Sequence, residues 1–78
     1  MAENLIDALR CPISGIIMND PVVLCSSGVS YERTVIENWL IVHGTDPVSG
    51  EPLQQDVRLI QNTCLRALIA AIMANVET

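Results

Sequence analysis

Residues 11–21 read Cys11-Pro12-Ile13-Ser14-Gly15-Ile16-Ile17-Met18-Asn19-Asp20-Pro21, "CPISGIIMNDP". A cysteine beside a proline is how a zinc-held loop opens, yet no second thiol follows at ligand spacing. The next cysteine is Cys25 and the third is Cys64. There is no C-x-x-C or H-x-x-x-H pair, and His43 is the single histidine, so a structural zinc site is not expected. Three widely spaced cysteines are no secreted disulfide framework either. The expectation is no metal, no other cofactor, and three reduced thiols serving as small buried hydrophobes.

Working outward, Pro12 and Pro21 bound a first loop. Val22-Val23-Leu24, the turn signal Ser26-Ser27-Gly28 and Val29-Ser30-Tyr31 read as a small β-hairpin. Residues 31–43, "YERTVIENWLIVH", place Val35, Ile36, Trp39, Leu40 and His43 on one face of a central helix. Ser30 or its successor is the expected N-cap, Glu32 suits the positive end, and Gly44 suits a left-handed stop. Residues 45–53, "TDPVSGEPL", make a second proline-bounded loop, and residues 57–60, "VRLI", a short extended piece. Asn62 or Thr63 then caps a last helix over residues 64–76. It carries a stripe of Leu65, Leu68, Ile69, Ile72, Met73 and Val76 beside Ala67, Ala70, Ala71 and Ala74. Upstream, residues 3–9, "ENLIDAL", can form a short helix with Leu5, Ile6 and Leu9 on one side. No internal repeat is apparent. The expected class is α+β: residues 1–8 a short N-terminal segment, residues 9–78 one domain of two loops, hairpin and two helices.

Composition narrows the function. A chain of 78 residues buries only about 60% of its unfolded surface, so its core needs reinforcement. With one Trp, one Tyr and no Phe, that core is aliphatic. Net charge is −5, and the four cations are all arginines: Arg10, Arg33, Arg58 and Arg66. Without a basic stripe, nucleic-acid binding is not expected, whereas a basic protein partner is favoured by charge. No apolar run nears the ~20 residues of a membrane span, and "MAENLIDALR" lacks the order of a signal peptide, so no membrane role is expected. Cys25 or Cys64 with His43 is the nucleophile–base pair available, and the spacing brings neither thiol to the imidazole. No carboxylate pair is spaced for acid–base work.

Four ordered pieces of the chain resemble the U-box family, the zinc-free relatives of RING ubiquitin ligases. The first is Cys11, Pro12, Ile13, Met18, Asp20, Pro21 and Val22. Gly28, Ser30, Tyr31, Glu32, Arg33, Ile36, Glu37, Trp39 and Leu40 form the second. Gly44, Thr45, Pro47, Val48, Ser49, Gly50, Pro52 and Leu53 form the third. The last is Leu59, Ile60, Asn62, Leu65, Arg66, Leu68 and Ile69. The resemblance covers about residues 9–73.

It implies that polar cross-links replace two zinc ions. Candidates are Asp20, Ser26, Ser27, Glu32, Arg33, Asp46, Ser49, Glu51 and Asn62. It also implies a ligase module without a covalent intermediate or catalytic side chain. Such a module binds a ubiquitin-conjugating enzyme and promotes transfer of ubiquitin from its thioester to a substrate lysine. The implied contacts with that enzyme are Ile13, Trp39 and Pro47, flanked by Val48 and Gly15. Two departures stand out: Gly15 where relatives carry a larger side chain, and Gly50 where some carry an arginine or other donor. Gly50 keeps open an alternative, a degenerate U-box that only holds a substrate or scaffold protein. A homodimer through the C-terminal helix is a further expectation, as is a cytoplasmic location (that of a host cell, if the chain is a bacterial effector). The substrate is not legible.

Overall fold

Val22, Val23 and Leu24 favour extended backbone because branched aliphatic side chains suit a pleated surface. In the computed structural model, which describes residues 5–53 and 57–76, they lie in β1 (Pro21–Leu24). After a turn over residues 25–28, β2 (Val29–Glu32) returns antiparallel, pairing Val22 with Tyr31 and Leu24 with Val29. This is the expected hairpin. The extended piece near residue 60 is more than a connector: β3 (Leu59–Gln61) pairs antiparallel with the free edge of β1, opposite Leu24 and Val22. The sheet order is therefore β2-β1-β3. An unpaired β1 edge would have left main-chain donors and acceptors open, and β3 closes it.

A single turn, α1 (Leu5–Ala8), precedes the first loop. Residues 3 and 4 of the anticipated first helix, and the side chains of Leu5 and Val76, lie outside the described residues. The central helix, α2 (Arg33–Val42), begins two residues later than its apolar pattern predicts. The reason is Tyr31, fully buried on β2, which commits this backbone to the sheet. Glu32 holds the N-cap position with extended backbone but makes no side-chain cap bond. Ser30 does not cap either, because its hydroxyl accepts a hydrogen bond from Asn62 Nδ2 at 3.1 Å. At the other end Gly44, at φ 65°, donates its N–H to the Leu40 carbonyl, the expected left-handed stop.

Asn62 caps the last helix, α3 (Thr63–Val76): its Oδ1 accepts the Leu65 N–H at 3.0 Å. The same side chain thus fixes a helix start and ties it to β2. On α3, Ile69 is buried and Leu65, Ile72 and Met73 are half-buried, while Leu68 remains 48% exposed. The packed stripe is therefore narrower than the sequence pattern, and the four alanines face solvent.

Leu9, Cys11, Met18, Val22, Leu24, Tyr31, Ile36 and Ile69 form one buried cluster shared by loop 1, sheet and helices. Cys11 meets the expectation of a buried thiol, but Cys25 and Cys64 are free and exposed, so two of three cysteines depart from it. Cys25 lies in the hairpin turn and Cys64 at the start of α3, where neither faces the core. No helix among the described residues is long and apolar enough to cross a membrane. Replacing Asn62 by Ala should cost about 1–2 kcal/mol in urea denaturation, since a cap and an inter-element tie go together. Asn62→Asp should lose less, because it keeps the cap acceptor.

Candidate docking groove

The two proline-bounded loops prove to be local copies of each other. In loop 1 (residues 11–16), the Cys11 N–H donates to Ile16 O at 2.9 Å and the Gly15 N–H to Cys11 O at 2.8 Å. In loop 2 (residues 46–51), the Asp46 N–H donates to Glu51 O and the Gly50 N–H to Asp46 O, both at 2.8 Å. Ser14 Oγ accepts the Ile16 N–H, and Ser49 Oγ accepts the Glu51 N–H, each at 3.3 Å. Each loop is closed by an antiparallel bridge, Arg10 with Ile17 and Thr45 with Pro52. Gly15 and Gly50 take φ values of 75° and 79°, a region other residues enter only with strain. "CPISGI" and "DPVSGE" are thus an internal repeat, contrary to the expectation of none. It escapes a residue-by-residue reading because its first and last positions differ in chemistry.

At the head of loop 2, Asp46 is buried and its Oδ1 accepts the N–H groups of Val48 (2.8 Å) and Ser49 (3.1 Å). Cys11 holds the matching place in loop 1. Burial pushes its thiol up, but N–H groups of Ser14, Glu32 and Ile13, with the Ser14 hydroxyl, together bring it below the ordinary thiol range. A soft sulfur acceptor thus does in one loop what a carboxylate does in the other. The hydroxyl of Tyr31 is buried without a partner among the described residues, and burial, then the nearby Asp46 and Cys11, raise its pKa.

Longer ties fix both loops to the frame. Glu32 spans to the exit of loop 1, where Oε1 accepts the Asn19 N–H at 2.6 Å and Oε2 the Asp20 N–H at 3.1 Å. Glu32, expected both at the helix start and among the cross-linkers, acts as a cross-linker. Asp20 Oδ2 in turn accepts from Arg33 Nε at 2.7 Å, and the Arg33 N–H donates to Asp20 O. Arg10 Nη1 donates to Gly15 O at 3.0 Å, a tie not anticipated from sequence. Trp39 Nε1 donates to Thr45 O at 2.9 Å, joining α2 to loop 2. Among the described residues, Ser27 of the expected cross-linkers acts only within the hairpin turn, Ser26 makes no side-chain bond, and Glu51 contributes only backbone groups. No group of three or more His, Cys, Asp or Glu able to hold a metal occurs among the described residues.

Between loop 1 and α2 lies a groove of about 320 Å³ lined by Ile13, Thr34, Val35, Asn38, Trp39, Val42 and His43. Ile13 and Trp39 therefore meet, one from each element. Both are half-buried and pack on the core as well, so they combine the structural and the exposed role. Half-buried Pro47 and exposed Val48 sit on loop 2, and Gly15 on loop 1, outside the lining of this groove. His43 was placed on the helix face by its spacing but not in a site. Its ring lies 4.0 Å from that of Trp39, tilted by 36°. Thr34, Asn38 and Val42 form the outer row at helical spacing, a pattern masked by two polar members. Neither exposed cysteine lines the groove with His43, so no thiol–imidazole pair forms there.

A family model described as "U-box domain" matches residues 6–77. The chain belongs to the U-box family. It is 43% identical over 70 residues to U-box domain-containing protein 8 of Arabidopsis thaliana, covering 88% of this chain and 18% of that protein. U-box domain-containing protein 13 of the same plant is 48% identical over 65 residues, covering 82% of this chain and 10% of that protein. U-box domain-containing protein 12 of Oryza sativa subsp. japonica is 45% identical over 65 residues, with the same coverages. The chain thus spans less than a fifth of the length of these relatives. All three are plant proteins and lend no support to a bacterial effector. U-box proteins are generally associated with ubiquitin ligases and bind ubiquitin-conjugating enzymes.

Asp46→Ala should cost about 1–3 kcal/mol in thermal or urea denaturation, because two loop amides lose their acceptor. Tyr31→Phe should leave stability within about 0.5 kcal/mol of the parent or raise it, since the hydroxyl removed has no partner among the described residues. A large loss in Tyr31→Phe would contradict this placement of the phenol.

Proposed function

We propose that this U-box domain is a ubiquitin ligase module that docks a ubiquitin-conjugating enzyme on Ile13, Trp39 and Pro47, with Val48 and Gly15 flanking. The observation that carries the reading is the meeting of Ile13 and Trp39 in one groove, with loop 2 pinned to Trp39 through Thr45. Docking there holds the ubiquitin thioester where a substrate amine can attack. The bond broken is the thioester and the bond formed is an amide. No side chain of this chain becomes covalently linked. Such positioning can supply about 7–11 kcal/mol in favourable cases. Prolines in both loops and their internal hydrogen bonds reduce the entropy lost on docking. A reducing compartment such as the cytoplasm suits three free thiols, two of them exposed. Leu68 with the neighbouring exposed alanines offers α3 a face for a homodimer.

A second reading is favoured by one position. Gly50, exposed and at φ 79°, offers no donor where an arginine would contact enzyme and ubiquitin together. A domain that binds without activating would then act as a scaffold. Discharge of ubiquitin-loaded conjugating enzyme to free lysine separates the two. The ligase reading expects acceleration that Ile13→Ala or Pro47→Ala reduces at least about tenfold, a loss of roughly 1.4 kcal/mol in docking or activation. Binding without acceleration contradicts it and supports the scaffold. Gly50→Arg, compared with Gly50→Ala to account for strain at φ 79°, should raise discharge if the missing donor is limiting.

The chain contains no lysine. Guanidinium groups stay protonated and do not act as amine nucleophiles. The active domain should therefore resist self-modification at side-chain amines while discharging to free lysine. Arg58→Lys or Arg66→Lys, which preserve charge at exposed sites, should introduce such modification, read by intact mass.

A further inference from the structure

His43 is the one titratable group lining the groove. It is exposed, occupies the C-cap of α2, and stacks on Trp39 with ring centroids 4.0 Å apart. Its side chain makes no hydrogen bond or ion pair with any described residue. The charged groups on the elements around it are engaged elsewhere or lie on another face, as does Glu51 at the far end of loop 2, which lines a separate cavity with Cys25 and Ser26. On α2, Arg33 and Glu37 approach each other at 4.0 Å near the opposite end. On loop 2, Asp46 is buried and its Oδ1 accepts two amides of its own loop. Loop 1 carries no charged side chain within residues 11–16, and Arg10 before it binds Asp7 and Gly15 O. Among the described residues, no carboxylate lines this groove to hold a protonated imidazole once it is covered.

We propose that His43 makes docking at this groove proton-linked, the neutral imidazole being the form that a docked conjugating enzyme covers. The inference rests on the docking reading above. In the free domain, water, the Trp39 face and the helix C-terminus all tolerate the imidazolium. A partner seated against Ile13 and Trp39 removes that water and penalises the charged form. The complex then binds fewer protons than the separated partners. By linkage, affinity falls as the solution is acidified.

The test measures Kd at pH 7.5, 6.5 and 5.5 for whichever conjugating enzyme gives the fastest discharge. Parent, His43→Gln and Ile13→Ala domains are compared, with circular dichroism at each pH to follow the fold. Because the enzyme titrates too, the quantity of interest is the ratio of parent Kd to His43→Gln Kd. A docked state that disfavours the imidazolium predicts that this ratio rises several-fold between pH 7.5 and 5.5. Selective labelling gives a second readout, since the domain has one histidine: its imidazole midpoint should fall on docking. Parallel slopes in parent and His43→Gln, or an unmoved midpoint, would overturn the linkage while leaving docking intact. Absence of binding by the parent at pH 7.5 would overturn the docking reading and the linkage together.

Discussion

Two consecutive backbone amides, those of Asn19 and Asp20, point at the single carboxylate of Glu32. The placement of loop 1 against the sheet and α2 depends on that pair. Charge-assisted bonds of this kind are shorter and roughly twice as strong as neutral ones. Glu32 is followed by Arg33, which returns to the Asp20 carboxylate at 2.7 Å. Four residues from two distant stretches therefore close a ring where β2 becomes α2. Its neighbour Tyr31 anchors the same turn from inside the core. If this junction loosened, Ile13 and Trp39 would no longer face a common groove.

The loops themselves use one solution twice. An acceptor at the first position, Cys11 or Asp46, gathers the amides ahead of it, a proline stiffens the next residue, and a glycine turns the chain back. A bound zinc ion would concentrate about 10–16 kcal/mol of binding in one centre. Here the support is spread over bonds worth about 1 kcal/mol each, most of them local to one loop. Removing any one should weaken a loop without dissolving the domain. The core beneath, though almost wholly aliphatic, is continuous from Leu9 to Ile69, so loops and helices share one foundation.

Much of this was legible in the sequence because local signals agreed. The Val-Val-Leu run and the Ser-Ser-Gly turn gave the hairpin, and the spacing of Ile36, Trp39 and Leu40 gave α2. Resemblance supplied the expected docking residues, of which the structure unites Ile13 and Trp39 in one groove. What escaped was non-local. The "VRLI" piece reads as a connector until the β1 edge it completes is known. Glu32 is an expected cross-linker, but only the folded chain shows that its partners are the amides of Asn19 and Asp20. Tyr31 fits both the hairpin and the helical run, and burial in the sheet decides for the hairpin. Cys11 reads as a hydrophobe, and its role as an amide acceptor appears only beside its counterpart Asp46. His43 fits the helix face by spacing, but its place in the groove needs the position of loop 1.

The central claim is mechanical: polar cross-links hold both loops beside a tryptophan-bearing helix. Amide hydrogen exchange of the domain with chelator in excess tests it most directly, read at Asn19, Asp20, Val48 and Ser49. The account predicts protection at these four amides with chelator present, and loss at Asn19 and Asp20 alone in Glu32→Ala. Exchange at unprotected rates in the parent, or protection that appears only when zinc is added, would contradict it.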